Sequence, residues 1–304
     1  MLITARKGRP LLAERVAGTA TPAEAYAYCR NVALGHSENF SVVSWLLPRA
    51  LRPHMYAVYA FCRGTDDLGD EAEGDRLALL DQWEADLRRC YDGTPRDIRL
   101  VALQRTMRKF DIPPEPFLRL IEANRRDQTV VRYRTFDDLL DYCAHSANPV
   151  GRMVLYVFGY RDEERQQLSD ATCTALQLAN FWQDVSVDLG KGRVYIPLED
   201  IERFGYSEAE LLARQQSQAF RRLMAFEVAR TRDYFREGLA LIPRVSGRLR
   251  IDLRLFSLGG LAVLDEVERV NYGVLSRRPS LSKARRLLVA ARGLLPLAPS
   301  AGRP

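Results

Sequence analysis

The stretch Tyr56-Ala57-Val58-Tyr59-Ala60-Phe61-Cys62-Arg63-Gly64-Thr65-Asp66-Asp67-Leu68-Gly69-Asp70 decides the fold. It opens apolar and closes acidic. Tyr59, Arg63, Asp66 and Asp70 stand at offsets 0, 4, 7 and 11, which places all four on one helical face. Asp67 sits one residue off that line, and Ala57, Phe61 and Leu68 occupy the opposite face. A helix that begins Met55-Tyr56-Ala57-Val58 predicts deep packing, so its charged stripe is expected to point into a cavity. Taken alone, the same Asp-Asp-x-x-Asp pattern reads equally as a solvated helix end.

A second stretch repeats the device. Gln177, Asn180, Asp184 and Asp188 stand at offsets 0, 3, 7 and 11, again one face, on a segment otherwise carrying Leu178, Phe181, Trp182 and Val185. Two such helices facing each other surround one space with carboxylates. Carboxylates crowded in an apolar cavity repel and take up protons unless a positive charge sits among them. Hard oxygen ligands at these spacings suit Mg²⁺, which keeps water and bridges carboxylates to substrate phosphates. Asp66, Asp67, Asp70, Asn180, Asp184 and Asp188 are the candidate metal ligands. Arg63, Lys191 and Arg193 are candidate cations for phosphate oxygens, with Gln177 and Gln183 beside them. The expected site is a Mg²⁺–diphosphate site inside a helical bundle.

Outward from these stretches the pattern stays helical. Residues 22–35, 53–70, 76–92, 98–110, 114–128, 136–158, 162–187, 207–242 and 247–275 carry apolar residues at spacings of three and four. Gly93-Thr94-Pro95, Ile112-Pro113-Pro114, Gly159-Tyr160 and Lys191-Gly192-Arg193 break the pattern, and Ser169, Ser207 and Asp137 are expected helix starts. No run of strands and no internal repeat is evident. The expectation is one all-α domain over 1–304, a single helical bundle with a core of about 19–277 and looser ends.

Composition narrows the function class. With 304 residues, 47% hydrophobic and 28% charged, the chain is an ordinary globular one rather than a disordered one. Five cysteines without a Cys-x-x-Cys pair give neither a disulfide framework nor a zinc site, and a reducing cytoplasm is the simplest compartment. No apolar run approaches the roughly 20 residues that span a bilayer, and no signal-peptide core opens the chain. Net charge is +6, almost all from arginine. The arginines are spread along the chain without a nucleic-acid motif, so no nucleic-acid partner is expected. The stretch from Ser276 onward is basic and then apolar, suited either to peripheral contact with an anionic membrane face or to packing as a last helix.

The motifs resemble the squalene/phytoene synthase family. Asp66-Asp67-Leu68-Gly69-Asp70 and Asp184-Val185-Ser186-Val187-Asp188, then Gly192-Arg193-Val194-Tyr195-Ile196-Pro197, match its two aspartate motifs and the element that follows. His36-Ser37-Glu38-Asn39-Phe40 before Leu46-Leu47-Pro48 resembles its substrate segment, which implies substrate-binding roles for Ser37, Asn39 and Phe40. Asp127 through Arg132-Tyr133, Tyr142-Cys143 with Val150-Gly151, and Tyr272 before Leu275 match further elements. The likeness runs in order over about 22–276. It implies an all-α isoprenoid-synthase fold with a central hydrophobic cavity, Mg²⁺, and chemistry on prenyl diphosphates. It further implies catalytic roles for Asp66, Asp70, Asp184, Asp188 and Tyr142, and substrate contacts from Tyr59, Tyr195 and Tyr272.

Departures from the usual family pattern point within it. Glu38-Asn39-Phe40-Ser41-Val42, Ser146-Ala147-Asn148-Pro149-Val150-Gly151-Arg152 and Asn180-Phe181-Trp182-Gln183-Asp184-Val185 resemble the hydroxysqualene synthases of bacterial hopanoid biosynthesis. Such an enzyme takes presqualene diphosphate from a synthase that joins two farnesyl diphosphates. It ionises that substrate to a cyclopropylcarbinyl cation, quenches the rearranged cation with water, and passes hydroxysqualene to a flavin-dependent reductase. NADPH is not expected. Gln183 stands where most members carry arginine, fitting one diphosphate rather than two, unless the side chain faces outward. Pro149 frees a carbonyl near His145 and Asn148 adds an amide, a pair able to hold a water or simply a packing kink. The alternatives are a head-to-head synthase acting on farnesyl or geranylgeranyl diphosphate, and a non-catalytic assembly protein of the same fold.

Overall fold

The computed structural model describes residues 20–36 and 47–294, and it is helical almost throughout them. Thirteen α-helices follow in order: α1 Pro22–His36, α2 Arg52–Asp70, α3 Arg76–Asp92, α4 Ile98–Phe110, α5 Glu115–Arg126, α6 Phe136–Ser146, α7 Asn148–Val157, α8 Glu163–Gly190, α9 Leu198–Arg203, α10 Glu208–Leu212, α11 Gln218–Gly238, α12 Gly247–Arg269 and α13 Lys283–Leu294. A 3₁₀ helix, Leu239–Arg244, links α11 to α12. Among the described residues the sole extended pairing recorded outside helices is one parallel bridge between Arg132 and Val194.

Short polar side chains set the helix starts by accepting otherwise unpaired N–H groups. Asp75, Asp97, Asp162 and Ser217 each cap the helix that follows them. Thr135 with Asp138, and Ser207 with Glu210, form reciprocal capping boxes. Ser207 is therefore a helix start, as expected. Ser169 is not: it lies buried within α8, whose cap is Asp162. Asp137 is likewise inside α6, whose cap is Thr135.

The 28-residue α8 is the axis of the molecule. At a rise of about 1.5 Å per residue it runs about 42 Å. Helices α7, α11 and α12 pack against it, and α2 packs on α1, α3, α4, α5 and α7. Close approach needs small residues. A Cβ on Gly151 of α7 would collide with Ser169 and Cys173 of α8. The largest apolar core gathers around Trp182, Phe220 and Phe235, a second around Phe61, Trp83 and Phe117, and smaller clusters surround Ala57 and Leu241. Each buried indole has a partner: Trp182 donates to Thr231 Oγ1 at 2.7 Å and Trp83 to Thr65 Oγ1 at 2.9 Å. All five cysteines are free; four are buried, and Cys173 is half-buried.

Several expected boundaries move. The helix expected over 136–158 breaks at Ala147, because Pro149 in the first turn of α7 cannot donate backward. The stretch expected as one helix over 207–242 divides into α10, a loop, α11 and the 3₁₀ helix. Helix α12 stops at Arg269, and Asn271 and Tyr272 follow with positive φ of 52° and 57°. The C-terminal stretch expected to be loose forms α13, packed on α12.

Candidate active site

The first acidic stripe closes α2. Tyr59 and Arg63 are buried, whereas Asp66 and Asp67 are half-buried. Burial, and then repulsion from Asp70, pushes the Asp66 carboxyl up to about 7, although Arg63 and a hydrogen bond with Asn124 oppose the rise. Arg63 faces different acids: its Nη2 lies 2.5 Å from Asp67 Oδ1 and 2.8 Å from Glu71 Oε1. Helix α5 fixes this end. Asn124 lies so close to Gly69 that a Cβ there would strike it, and Gln128 Nε2 donates to Gly69 O at 2.9 Å.

The second stripe lies along α8. Gln177, Asn180, Asp184 and Asp188 are half-buried, while Leu178, Ala179, Phe181, Trp182 and Val185 around them are buried. Burial first, and Asp184 second, push the Asp188 carboxyl up to about 7 against the pull of Lys191, Arg193 and Arg278. Arg278 ion-pairs with Asp184 through Nε, and its Nη2 lies 3.3 Å from Asp184 Oδ2 and 3.1 Å from Gln183 Oε1. The buried Gln183 also donates through Nε2 to Pro279 O at 2.8 Å. Gln183 therefore faces inward and clamps the segment that carries Arg278.

Arg193 joins the two stripes. The turn after α8 passes through Gly192 at φ 76° and returns the Arg193 N–H to Asp188 O at 2.9 Å. The guanidinium then reaches across: Nη2 lies 3.5 Å from Asp70 Oδ1 and 3.3 Å from Asp127 O. Asp127 accepts from Tyr142 Oη at 3.0 Å, and burial lifts its carboxyl to about 6 against Arg193 and that hydrogen bond, with Asp70 adding to the rise. Beside this junction Tyr195 stacks on Phe181 with centroids 3.8 Å apart and planes 9° apart, and on Tyr133 at 5.7 Å and 19°. Tyr142 completes the aromatic wall, 6.0 Å from Tyr195. A pocket lined by Phe181, Val185, Asp188, Arg193, Tyr195 and Leu211 opens here.

The remaining expected site residues are distributed as follows. Lys191 is exposed in the turn below Asp188. Asn148 is half-buried at the α6–α7 break, and its Oδ1 accepts from Thr174 Oγ1 at 2.9 Å. Tyr272 packs on the edge of the core around Trp182, and the charges acting on its phenol are Glu268 and Arg232. Ser37, Asn39 and Phe40 lie outside the described residues. Sequence reasoning left Asp127 and Arg278 out of the site. Asp127 belongs to no periodic stripe, and Arg278 lies 94 residues from Asp184 in a basic stretch with nothing to distinguish it.

No group of three or more His, Cys, Asp or Glu side chains converges as a metal cage among the described residues. Mg²⁺ does not need one, since it takes one or two carboxylates and completes its shell with water and phosphate oxygens. Asp66 beside Asp70, and Asp188 beside Asp184, are such footholds, and the raised carboxyls of Asp66 and Asp188 mark negative charge that the protein leaves partly uncompensated. The residues fit a Mg²⁺ that arrives with a diphosphate.

Fold and site together define an all-helical protein in which two acidic helix faces meet at Arg193 beside a cluster of stacked aromatic rings. The squalene/phytoene synthase family profile matches residues 33–285, and the chain belongs to that family. It is 33% identical over 300 residues to a 15-cis-phytoene synthase of Synechococcus elongatus, covering 94% of this chain and 95% of the relative. Among solved structures it superposes on squalene synthase HpnC from Alicyclobacillus acidocaldarius with a TM-score of 0.81 at 51% identity, over 83% of this chain and 95% of that one. A dehydrosqualene synthase in complex with ligand also gives a TM-score of 0.81, at 26% identity, over 90% of this chain and 96% of the other. The all-α isoprenoid-synthase fold expected from the sequence is the fold observed.

Proposed function

We propose that this protein is a hydroxysqualene synthase, which converts presqualene diphosphate and water to hydroxysqualene and diphosphate. The observation that carries the reading is the Arg193 bridge, which brings a cation from the end of the second stripe to within 3.5 Å of Asp70 on the first. A diphosphate seated between the stripes meets Arg193, and Arg278 can release Asp184 to meet it as well. When bound, Mg²⁺ supplies charge neutralisation to the leaving diphosphate. Asp66 and Asp70 from one side, with Asp184, Asp188 and Asn180 from the other, are its proposed ligands.

The chain's own groups do the rest. Tyr142 keeps its proton, because burial and the neighbouring Asp127 raise its pKa well above the usual phenol value, so it acts as a hydrogen-bond donor at the rim. The faces of Phe181, Tyr195 and Tyr142 offer negative potential to a carbocation left behind in the apolar interior. Asn148, its Oδ1 engaged by Thr174, has its amide nitrogen left to hold the quenching water. Quenching by water consumes no hydride, so NADPH has no part in this reading. A synthase that makes presqualene diphosphate would precede the enzyme, and a flavin-dependent reductase would follow it.

The 51% likeness to a squalene synthase HpnC favours this branch of the family. The phytoene synthase relative at 33% favours a second reading, head-to-head joining of two prenyl diphosphates. Incubation of the purified full chain with presqualene diphosphate and Mg²⁺, without reductant, followed by mass analysis of the lipid extract, tests the proposal. Hydroxysqualene is the expected product. Conversion of farnesyl or geranylgeranyl diphosphate alone, with presqualene diphosphate left untouched, would establish the second reading instead.

A further inference from the structure

Helix α13 is mounted inside out. Its buried residue is Gly293, which fits against Leu255 of α12 so closely that a Cβ would collide there. Arg285, on the same side, reaches Glu266 Oε2 at 2.8 Å, and Arg254 of α12 donates to Arg292 O at 3.1 Å. The opposite side holds Ala284, Leu287, Leu288, Ala291 and Leu294, all exposed, with Leu287 at 72%. At 100° per residue these five fall within a third of the helical circumference. An amphipathic helix packed on a body ordinarily turns that face inward. Phe256, next to the Leu255 contact on α12, is exposed too, at 44%.

Charge surrounds this apolar strip. After Glu268 the chain holds eight arginines and lysines and no acidic residue, against a net charge of +6 for the whole chain. Arg278, Arg285 and Arg269 are engaged with Asp184 and Glu266. Lys283 and Arg292 are exposed on the two flanks of the strip, whereas the exposed Arg286 lies on the Gly293 side and the exposed Arg277 precedes the helix. No helix among the described residues is long and apolar enough to cross a membrane.

We propose that the outer face of α13 is a docking surface for an anionic lipid bilayer, lying in the interface with Leu287 and Leu288 in the acyl boundary and the flanking Lys283 and Arg292 at headgroup level. Charge complementarity selects this occupant. Two copies of the face would oppose like charges, and a neutral bilayer would leave those charges unanswered.

Flotation of the full chain with phosphatidylcholine vesicles, with and without phosphatidylglycerol, tests this. The expected result is flotation with the anionic vesicles alone, weakened by salt. Paired substitution Leu287→Ser with Leu288→Ser should abolish it. Paired substitution Lys283→Glu with Arg292→Glu should lower partitioning by about tenfold or more. Melting temperature should hold in both variants, because all four side chains are exposed. Should the serine pair melt early, Leu287→Trp replaces it, and its indole emission should shift to the blue on anionic vesicles. No flotation with anionic vesicles, flotation indifferent to both substituted pairs, or no blue shift would overturn the proposal. So would a dimer that the serine pair splits without any lipid binding.

Discussion

The two acidic stripes use the same offsets but meet their charge differently. On α2 the nearest cation is local: Arg63 is four residues from Asp67 and pairs with it and with Glu71, while Asp66 sits among Asn124 and Asp70 with its carboxyl raised to about 7. On α8 the cations are imported. Arg278 comes from beyond α12 to Asp184, and Arg193 turns back past Asp188 to reach Asp70. The first stripe is thus a wall neutralised from its own helix, and the second a wall neutralised by a segment distant in sequence. The comparison teaches that equal spacing on two helices does not give equal chemistry. The partner segments decide it.

Breaking either wall should have the largest effect. Asp188→Asn and Asp66→Asn should each lower kcat for diphosphate release by about 10²–10³-fold, with the fold unchanged by circular dichroism. A loss confined to one of them would mean that the stripes do not act on one substrate group. The imported cation comes next. Arg278→Ala should lower kcat/KM by roughly 10- to 100-fold, as expected for a lost charge-assisted hydrogen bond. Gln183→Leu should cost less, about 1 kcal/mol in transition-state binding, because Arg278 keeps Asp184 while losing its clamp. Equal or reversed effects would show that Gln183 does more than position Arg278.

The smallest effect is a pH dependence of stability in metal-free protein. Asp66 and Asp188 titrate at about 7 when folded, against an ordinary 3.8, so between those limits the folded chain holds protons that the unfolded chain has released. Their contribution is therefore full below about pH 4 and disappears as pH rises through 7. Asp66→Asn should flatten this slope in thermal melts, and Mg²⁺ with inorganic diphosphate should raise the melting temperature more at pH 8 than at pH 5. A melting temperature that rises between pH 5 and 8 without metal would contradict the raised carboxyls.

Much of this was legible in the sequence. Both stripes, the helices that carry them and the Lys191-Gly192-Arg193 turn follow from local periodicity and turn chemistry. The breaks at Ala147 and within 207–242 were not, since apolar spacing continues across them and only tertiary packing decides where the chain turns. The stretch that forms α13 admits two readings in the sequence, membrane contact or a last helix packed on the body, and only the packing on α12 is decided by the fold. Arg278 escaped for a different reason: it acquires its role from Asp184, distant in sequence, and no local pattern encodes that, whereas Asp127 lies in a matched family element but outside both stripes.

The central claim is that two carboxylate stripes and the arginines between them hold one Mg²⁺–diphosphate group. Calorimetric titration of the full chain with inorganic diphosphate, with and without Mg²⁺, tests it directly. The account predicts binding that requires the metal and is lost alike in Asp66→Asn and Asp188→Asn. Binding that ignores Mg²⁺, or that survives in either variant, would contradict it.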